Sequence, residues 1–219
     1  MGSSSESGRL SQLQRDILTA FFERASGFFL TGDAALAHFY LRHRGTEDLD
    51  LFAPPDTDIR SGVQALVEAA ASVGASARVV RESGDFKRYA VERGDELTLV
   101  ALVLDRAPQV SEKLVFGRIR VDAPREIAAN KLCALLDRVE PRDLLDLRLL
   151  LASGLSLETV LADAQRKHAG ADRATIAWVL SGTPVAPTAP IPEGTTAEDL
   201  DAFRRELMNT FTRMALPDE

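Results

Sequence analysis

LTGDAALAHFYLRHRGTEDLDLF, residues 30–52, is the stretch from which the fold can be read. A short apolar run, Phe28-Phe29-Leu30, ends at Thr31-Gly32. Apolar residues then recur at helical spacing at Ala34, Leu36, Ala37, Tyr40 and Leu41, so a helix is expected over 33–44. A basic cluster, Arg42-His43-Arg44, and then Gly45 mark its expected C-terminal end. At Asp48-Leu49-Asp50-Leu51-Phe52 the period changes to two: the aspartates share one face of a strand and the leucines the other. Strands are poor in Asp, and two carboxylates about 7 Å apart along a strand repel each other. A cation is the natural compensation. An all-oxygen ligand set suits Mg²⁺ or Mn²⁺, which bind through one or two carboxylates plus substrate phosphates.

Working outward, residues 10–26 carry Leu10, Leu13, Ile17, Leu18, Phe21 and Phe22 at helical spacing, an amphipathic helix to pack on the strand at 28–30. Pro54-Pro55 breaks the chain, Asp58 is placed to cap a helix to about Val73, and Gly74 closes it. Short β-favouring runs follow at 76–81, 87–92, 97–104 and 118–121, the first ones separated by Ser83-Gly84-Asp85 and Gly94-Asp95, which read as hairpin turns. After Pro124 the spacing is helical, near 124–138, 141–153, 156–169 and 172–180. Residues 181–195 are rich in Pro, Gly and Thr and read as a connector; 196–214 is a last amphipathic helix with Leu200, Phe203, Leu207 and Phe211 on one face. The expected organisation is a flexible tail over 1–9, an α/β (α+β) core with a mixed sheet over 10–122, a helical region over 123–181, and a connector with a C-terminal helix over 182–219.

The composition narrows the function classes. A net charge of −7 argues against sequence-independent coating of nucleic acid or of an acidic membrane surface, while leaving room for a local basic cleft. One cysteine, Cys133, excludes an intrachain disulfide, fits a reducing cytosol, and reads as a packed helix residue. No apolar run approaches the roughly 20 residues of a membrane span, and no apolar signal segment opens the sequence, so a cytoplasmic protein is expected. His38, His43 and His168 make no metal-binding spacing with the cysteine.

A second block, PREIAANKLCALLDR at 124–138 with PRDLLDLR at 141–148, places Lys131 on an apolar helix and Asp143 and Asp146 three apart on the next. Together, Gly32, its helix, the Arg/His cluster, Thr46-x-Asp48-x-Asp50, Lys131 and Asp146 resemble the nucleotidyltransferases of the polymerase-beta-like superfamily. The match is to the AbiEii-type branch, the toxin half of bacterial toxin–antitoxin pairs. The resemblance covers residues 28–151.

The resemblance implies transfer of a nucleoside monophosphate from a nucleoside triphosphate to an acceptor, an RNA such as the tRNA 3′ end, in a toxin–antitoxin or phage-defence setting with a cognate antitoxin. It implies Asp48 and Asp50 as metal carboxylates, and Gly32 and Thr46 as phosphate contacts. Lys131 would be the point charge on the triphosphate, and Asp146 the site residue that holds Lys131 or acts as a base. Asp143 then reads as a cap, or as a partner for Arg142 or Arg138. On this reading, loss of Lys131 should weaken nucleotide binding rather than folding. Arg42, Arg44 and Arg142 are either solvated charge or an approach for phosphate.

Two positions depart from the pattern. Asp33 follows Gly32 where the family has Gly or Ser, and a carboxylate there repels a triphosphate. The third metal carboxylate of the superfamily aligns with Ala101. Asp105 has the parity of Ala101 but lies about 13 Å further along the strand. Asp105 or Asp33 substitutes, or the site runs on two carboxylates, or activity is reduced or lost. The alternatives are a weakened relative that binds nucleotide or a partner without turnover, and a nucleotidyltransferase acting on a small molecule.

Overall fold

The computed structural model of the protein describes residues 10–216; the tail expected over 1–9 lies outside the described residues. The chain divides into two compact units, Met1–Arg106 with Glu112–Ala123, and Ala107–Ser111 with Pro124–Glu219.

The first unit is a mixed sheet with helices. Its elements are α1 (Gln12–Arg24), β1 (Phe29–Thr31), α2 (Gly32–Ala35), β2 (Asp48–Ala53), α3 (Ile59–Ser72), β3 (Ser76–Ser83), β4 (Phe86–Arg93), β5 (Glu96–Leu104), β6 (Leu114–Phe116) and β7 (Ile119–Val121). Among the described residues, seven strands form one sheet in the order β3-β4-β5-β2-β1-β7-β6. The β2–β5 and β1–β7 pairs are parallel and the others antiparallel. The strand β6 lies in what reads from sequence as loop. Three two-residue turns, Gly84-Asp85, Gly94-Asp95 and Gly117-Arg118, close the hairpins, each with its glycine at positive φ as primed turns require.

The alternation of β2 holds. Leu49, Leu51 and Ala53 are buried, whereas Asp48, Asp50 and Phe52 are half-buried on the other face. The leucine face continues into Leu30, Val100 and Leu102, all fully buried, and α1 and α3 cover it. Leu13, Ile17 and Phe21 supply the α1 side of that core and Leu66, Ala69 and Ala70 the α3 side. Gly62 permits this approach, because a Cβ there would lie 2.3 Å from Cζ of Phe28. Asp58 caps α3 through the N–H of Arg60, and Ser11 with Gln14 forms a capping box on α1. The Gln14 amide also donates to the Thr46 carbonyl, at 2.9 Å, and to the Thr98 hydroxyl, at 3.2 Å. That side chain therefore fixes the approach to β2.

The helix expected over 33–44 is shorter and of another kind. Only Gly32–Ala35 is α-helical; Leu36–Tyr40 forms a π-helical turn that closes with the Leu41 N–H donating to the Leu36 carbonyl at 2.8 Å. Termination falls to Arg42, whose φ is 51°, and not to Gly45. The sequence pattern misses this because apolar spacing over two turns is nearly the same for the two helix types.

The second unit is helical: α4 (Pro124–Asp137), α5 (Pro141–Ala152), α6 (Leu157–Lys167), α7 (Arg173–Gly182) and α8 (Ala197–Ala215). The α4 helix packs on α5 and α6, and α8 packs on α7 and α5. The last helix therefore docks within its own unit through Leu200, Leu207 and Phe211, each worth about 1.5–3 kcal/mol of burial. Arg148 holds the connector by donating to the Thr195 hydroxyl at 3.1 Å. The fully buried Glu126 carboxylate accepts from the N–H groups of Val110 and Ser111, at 2.8 and 2.9 Å, and pairs with Lys167. This is why residues 107–111 belong to the helical unit. Among the described residues, no helix is long and apolar enough to cross a membrane.

Candidate active site

In the sheet unit, the polar face of β2 carries the two candidate carboxylates, Asp48 and Asp50. Asp50 is the register partner of Thr31 on one side and of Ala101 on the other; Asp48 is the partner of Leu99. Paired residues share a face, so position 101 faces the same side as both aspartates, as the sequence alignment requires. Ala101 is buried. Asp105 does not replace it: Asp105 lies past the end of β5, where its N–H donates to the Ala53 carbonyl at the far end of β2.

Gly32 abuts Asp50. Its φ is +64°, and a Cβ built on it would lie 2.7 Å from Oδ2 of Asp50. A glycine here thus serves both the left-handed backbone and the room needed by the carboxylate. Asp33 is paired: its Oδ2 lies 2.8 Å from Nη2 of Arg44, and both side chains are largely buried. The negative charge that the sequence sets against phosphate is offset by that guanidinium. Arg44, read from sequence as surface charge or a phosphate approach, is instead a buried partner of Asp33. Arg142 pairs with Glu140 at 2.6 Å, and Arg42 remains exposed.

Thr46 lies in the turn before β2 and not on the strand face. Its hydroxyl is within 3.3–3.4 Å of the backbone O and N of Asp48. The strand begins two residues later, so strand alternation does not set the direction of the Thr46 side chain.

One residue that the sequence reading misses stands beside the carboxylates. Arg88, on β4, is the register partner of Ala101. Its Nη2 donates to Oδ2 of Asp48 at 3.0 Å. The signal existed in principle, since Arg88 shares the parity of the site face, but only the register of β4 on β5 exposes it.

In the helical unit, Lys131 is buried and its Nζ lies 2.6 Å from Oδ1 of Asp143 and 2.8 Å from Oδ2 of Asp146. The sequence reading pairs Lys131 with Asp146 alone. Asp143 belongs to the same clamp, and the side-chain cap expected of it is absent because Glu140 occupies the cap position of α5. Arg138 lies 3.6 Å from Oδ2 of Asp143. Cys133, two residues on, is half-buried with its thiol 3.6 Å from the Ala164 carbonyl, and burial pushes the thiol up to about 11.

The donor set on β2 fits a hard divalent cation: two carboxylates on one strand face, with the space beside Asp50 kept open by Gly32.

A family model described as nucleotidyl transferase AbiEii toxin, type IV toxin–antitoxin system, matches residues 16–219. The fold is similar to that of JHP933 from Helicobacter pylori, at 21% identity and a TM-score of 0.58 over 93% of this chain and 92% of that one. It is similar also to MenT4, the nucleotidyltransferase toxin Rv2826c from Mycobacterium tuberculosis H37Rv, at 18% identity and a TM-score of 0.61 over 93% and 82%. At these identities the likeness is one of fold. No curated protein matches the sequence.

Proposed function

The chain belongs to the AbiEii family of nucleotidyl transferase toxins of type IV toxin–antitoxin systems, and from that premise we propose that it transfers a nucleoside monophosphate from a nucleoside triphosphate to an RNA acceptor such as a tRNA 3′ end. The observation that carries this reading is the pair Asp48 and Asp50 on one face of β2, with Gly32 shaped around Asp50.

In this reading Asp48 and Asp50 would hold Mg²⁺ or Mn²⁺. Such a cation neutralises charge on the phosphoryl oxygens and the leaving pyrophosphate. Gly32 lets the chain approach the phosphates without a side chain in the way. Thr46, its hydroxyl turned to the backbone of Asp48, orients that carboxylate and contacts phosphate through rotation of the same hydroxyl. Lys131 is the point charge for the triphosphate, its ammonium paired with Asp143 and Asp146. A cognate antitoxin is the protein partner that the family implies.

The test is incorporation of labelled NTP into RNA in Mg²⁺ by wild type, Asp48→Asn and Asp50→Asn. Removing an electrostatic stabiliser of this kind costs on the order of 10²–10³ in rate. Wild-type activity in both variants would displace the site from β2.

A second reading is favoured by Arg88 on Asp48 and Ala101 opposite Asp50: a relative that binds nucleotide or a partner without turnover. Nucleotide binding by wild type without incorporation into any RNA supplied would select it.

A further inference from the structure

The superfamily pattern asks for a third carboxylate at position 101, and this chain has Ala101 there with an arginine from the next strand alongside. Arg88 sits on β4, two strands from β2, a separation of about 10 Å. To reach Asp48 its side chain must cross β5. Of the β5 residues on that face, Leu97, Leu99, Ala101 and Val103, only Ala101, its own register partner, has no atoms beyond Cβ. The missing carboxylate and the crossing arginine are thus one arrangement: an anion is lost and a cation enters the space.

The guanidinium uses a single donor on Asp48, Nη2 at 3.0 Å. Its Nε is buried and has no hydrogen-bond partner among the described residues. The side chain as a whole is 34% exposed, so it retains access to the open side of the sheet. A planar fork with spare donors matches two phosphate oxygens better than one edge of a carboxylate.

We propose that Arg88 is a phosphate ligand of the nucleotide site and that, before nucleotide arrives, it serves as the counter-charge of Asp48. This rests on the nucleotidyltransferase reading above. The Asp48 carboxylate is shared between two claimants, the guanidinium and a divalent cation. A cation entering alone competes with Arg88 for that carboxylate and brings no anion for the guanidinium in exchange. A cation entering with a triphosphate supplies that anion, and Arg88 moves from carboxylate to phosphate. Metal and triphosphate therefore bind with positive coupling. By linkage each tightens the other by the same factor, on the order of tenfold for one charge-assisted contact.

The experiment measures Mn²⁺ alone, then Mg²⁺–tripolyphosphate, by calorimetry on wild type, Arg88→Gln and Arg88→Lys, with melting curves for each. Tripolyphosphate is the part common to all NTPs. Wild type is expected to bind Mn²⁺ on the order of tenfold more tightly when tripolyphosphate is present. Arg88→Gln should tighten Mn²⁺ alone several-fold, weaken Mg²⁺–tripolyphosphate about tenfold, and reduce the coupling to the part that direct metal–phosphate coordination supplies. Arg88→Lys should keep the charge, lose the fork, and fall between. Absence of coupling in wild type overturns the proposal even if Arg88→Gln fails to fold. It is overturned equally if Arg88→Gln leaves tripolyphosphate binding unchanged, or weakens Mn²⁺ alone, which would make Arg88 a support for Asp48 only. Failure of the wider reading looks different: wild type would then bind neither Mn²⁺ nor tripolyphosphate, and both proposals would fall together.

Discussion

Gly32 and Asp50 are fitted to each other. The glycine is left-handed at φ +64°, and a Cβ on it would fall 2.7 Å from Oδ2 of the aspartate. Two penalties therefore meet in Gly32→Ala. The left-handed conformation costs an L-residue about 1–2 kcal/mol, and the carboxylate must swing away. We expect a lower melting temperature and a loss of Mn²⁺ binding, read by calorimetry. Unchanged Mn²⁺ affinity in a folded Gly32→Ala protein would remove Asp50 from the ligand set.

Ala101→Asp should restore a third carboxylate beside Asp50 and opposite Arg88. In chelator the added charge crowds two others, partly relieved by Arg88, so melting should fall. With millimolar Mn²⁺ it should recover, and Mn²⁺ affinity should exceed that of wild type, because binding to the folded state alone stabilises it. Loss of stability that Mn²⁺ does not repair would mark position 101 as packing only.

Burial reverses the expectation for Lys131. Its side chain is 8% exposed and its two partners 2% and 0%. Lys131→Met removes the ammonium that both buried carboxylates share and leaves only Arg138, at 3.6 Å, beside Asp143, a loss of about 3–5 kcal/mol and a melting drop on the order of 10 °C. The double variant Lys131→Met with Asp146→Asn should recover part of that loss. A single variant melting with wild type would show that water or another cation reaches Asp143 and Asp146.

The chain has two tyrosines, and both titrate high. Burial raises Tyr40 to about 12, aided by the Asp122 charge, and its hydroxyl donates to the Asp122 carbonyl. Burial also raises Tyr89 to about 12, with its hydroxyl donating to Glu82. The folded protein prefers the neutral phenols, so this stability is full below pH 10 and is lost as pH rises through 12. Tyrosinate absorbance should appear near pH 12 in the native protein and near pH 10 in denaturant. A native transition at pH 10 would place both hydroxyls in water.

Features that depend on local period and local conformational preference are legible in the residues alone. The Asp48/Leu49 alternation, the α3 cap at Asp58, the hairpin glycines and the α4–α8 spans all follow from residues within one or two turns of each other. The two motif blocks resemble the AbiEii-type family, and the family model over residues 16–219 shows that membership.

Pairings across long separations are encoded by no local period and arise only on packing. Arg88 and Asp48 are 40 residues apart, and they meet because β4 takes one register on β5 and β5 one register on β2. A slip of one residue would turn Arg88 to the opposite face. The same holds on β3, where an irregularity between Val79 and Arg81 places Arg78 and Arg81 on one face despite their odd spacing. Lys131 could be assigned a charge from sequence, but its burial between Asp143 and Asp146 exists only through the packing of α4 on α5. Burial is a property of the packed unit, and it alone turns a surface lysine into a clamped one.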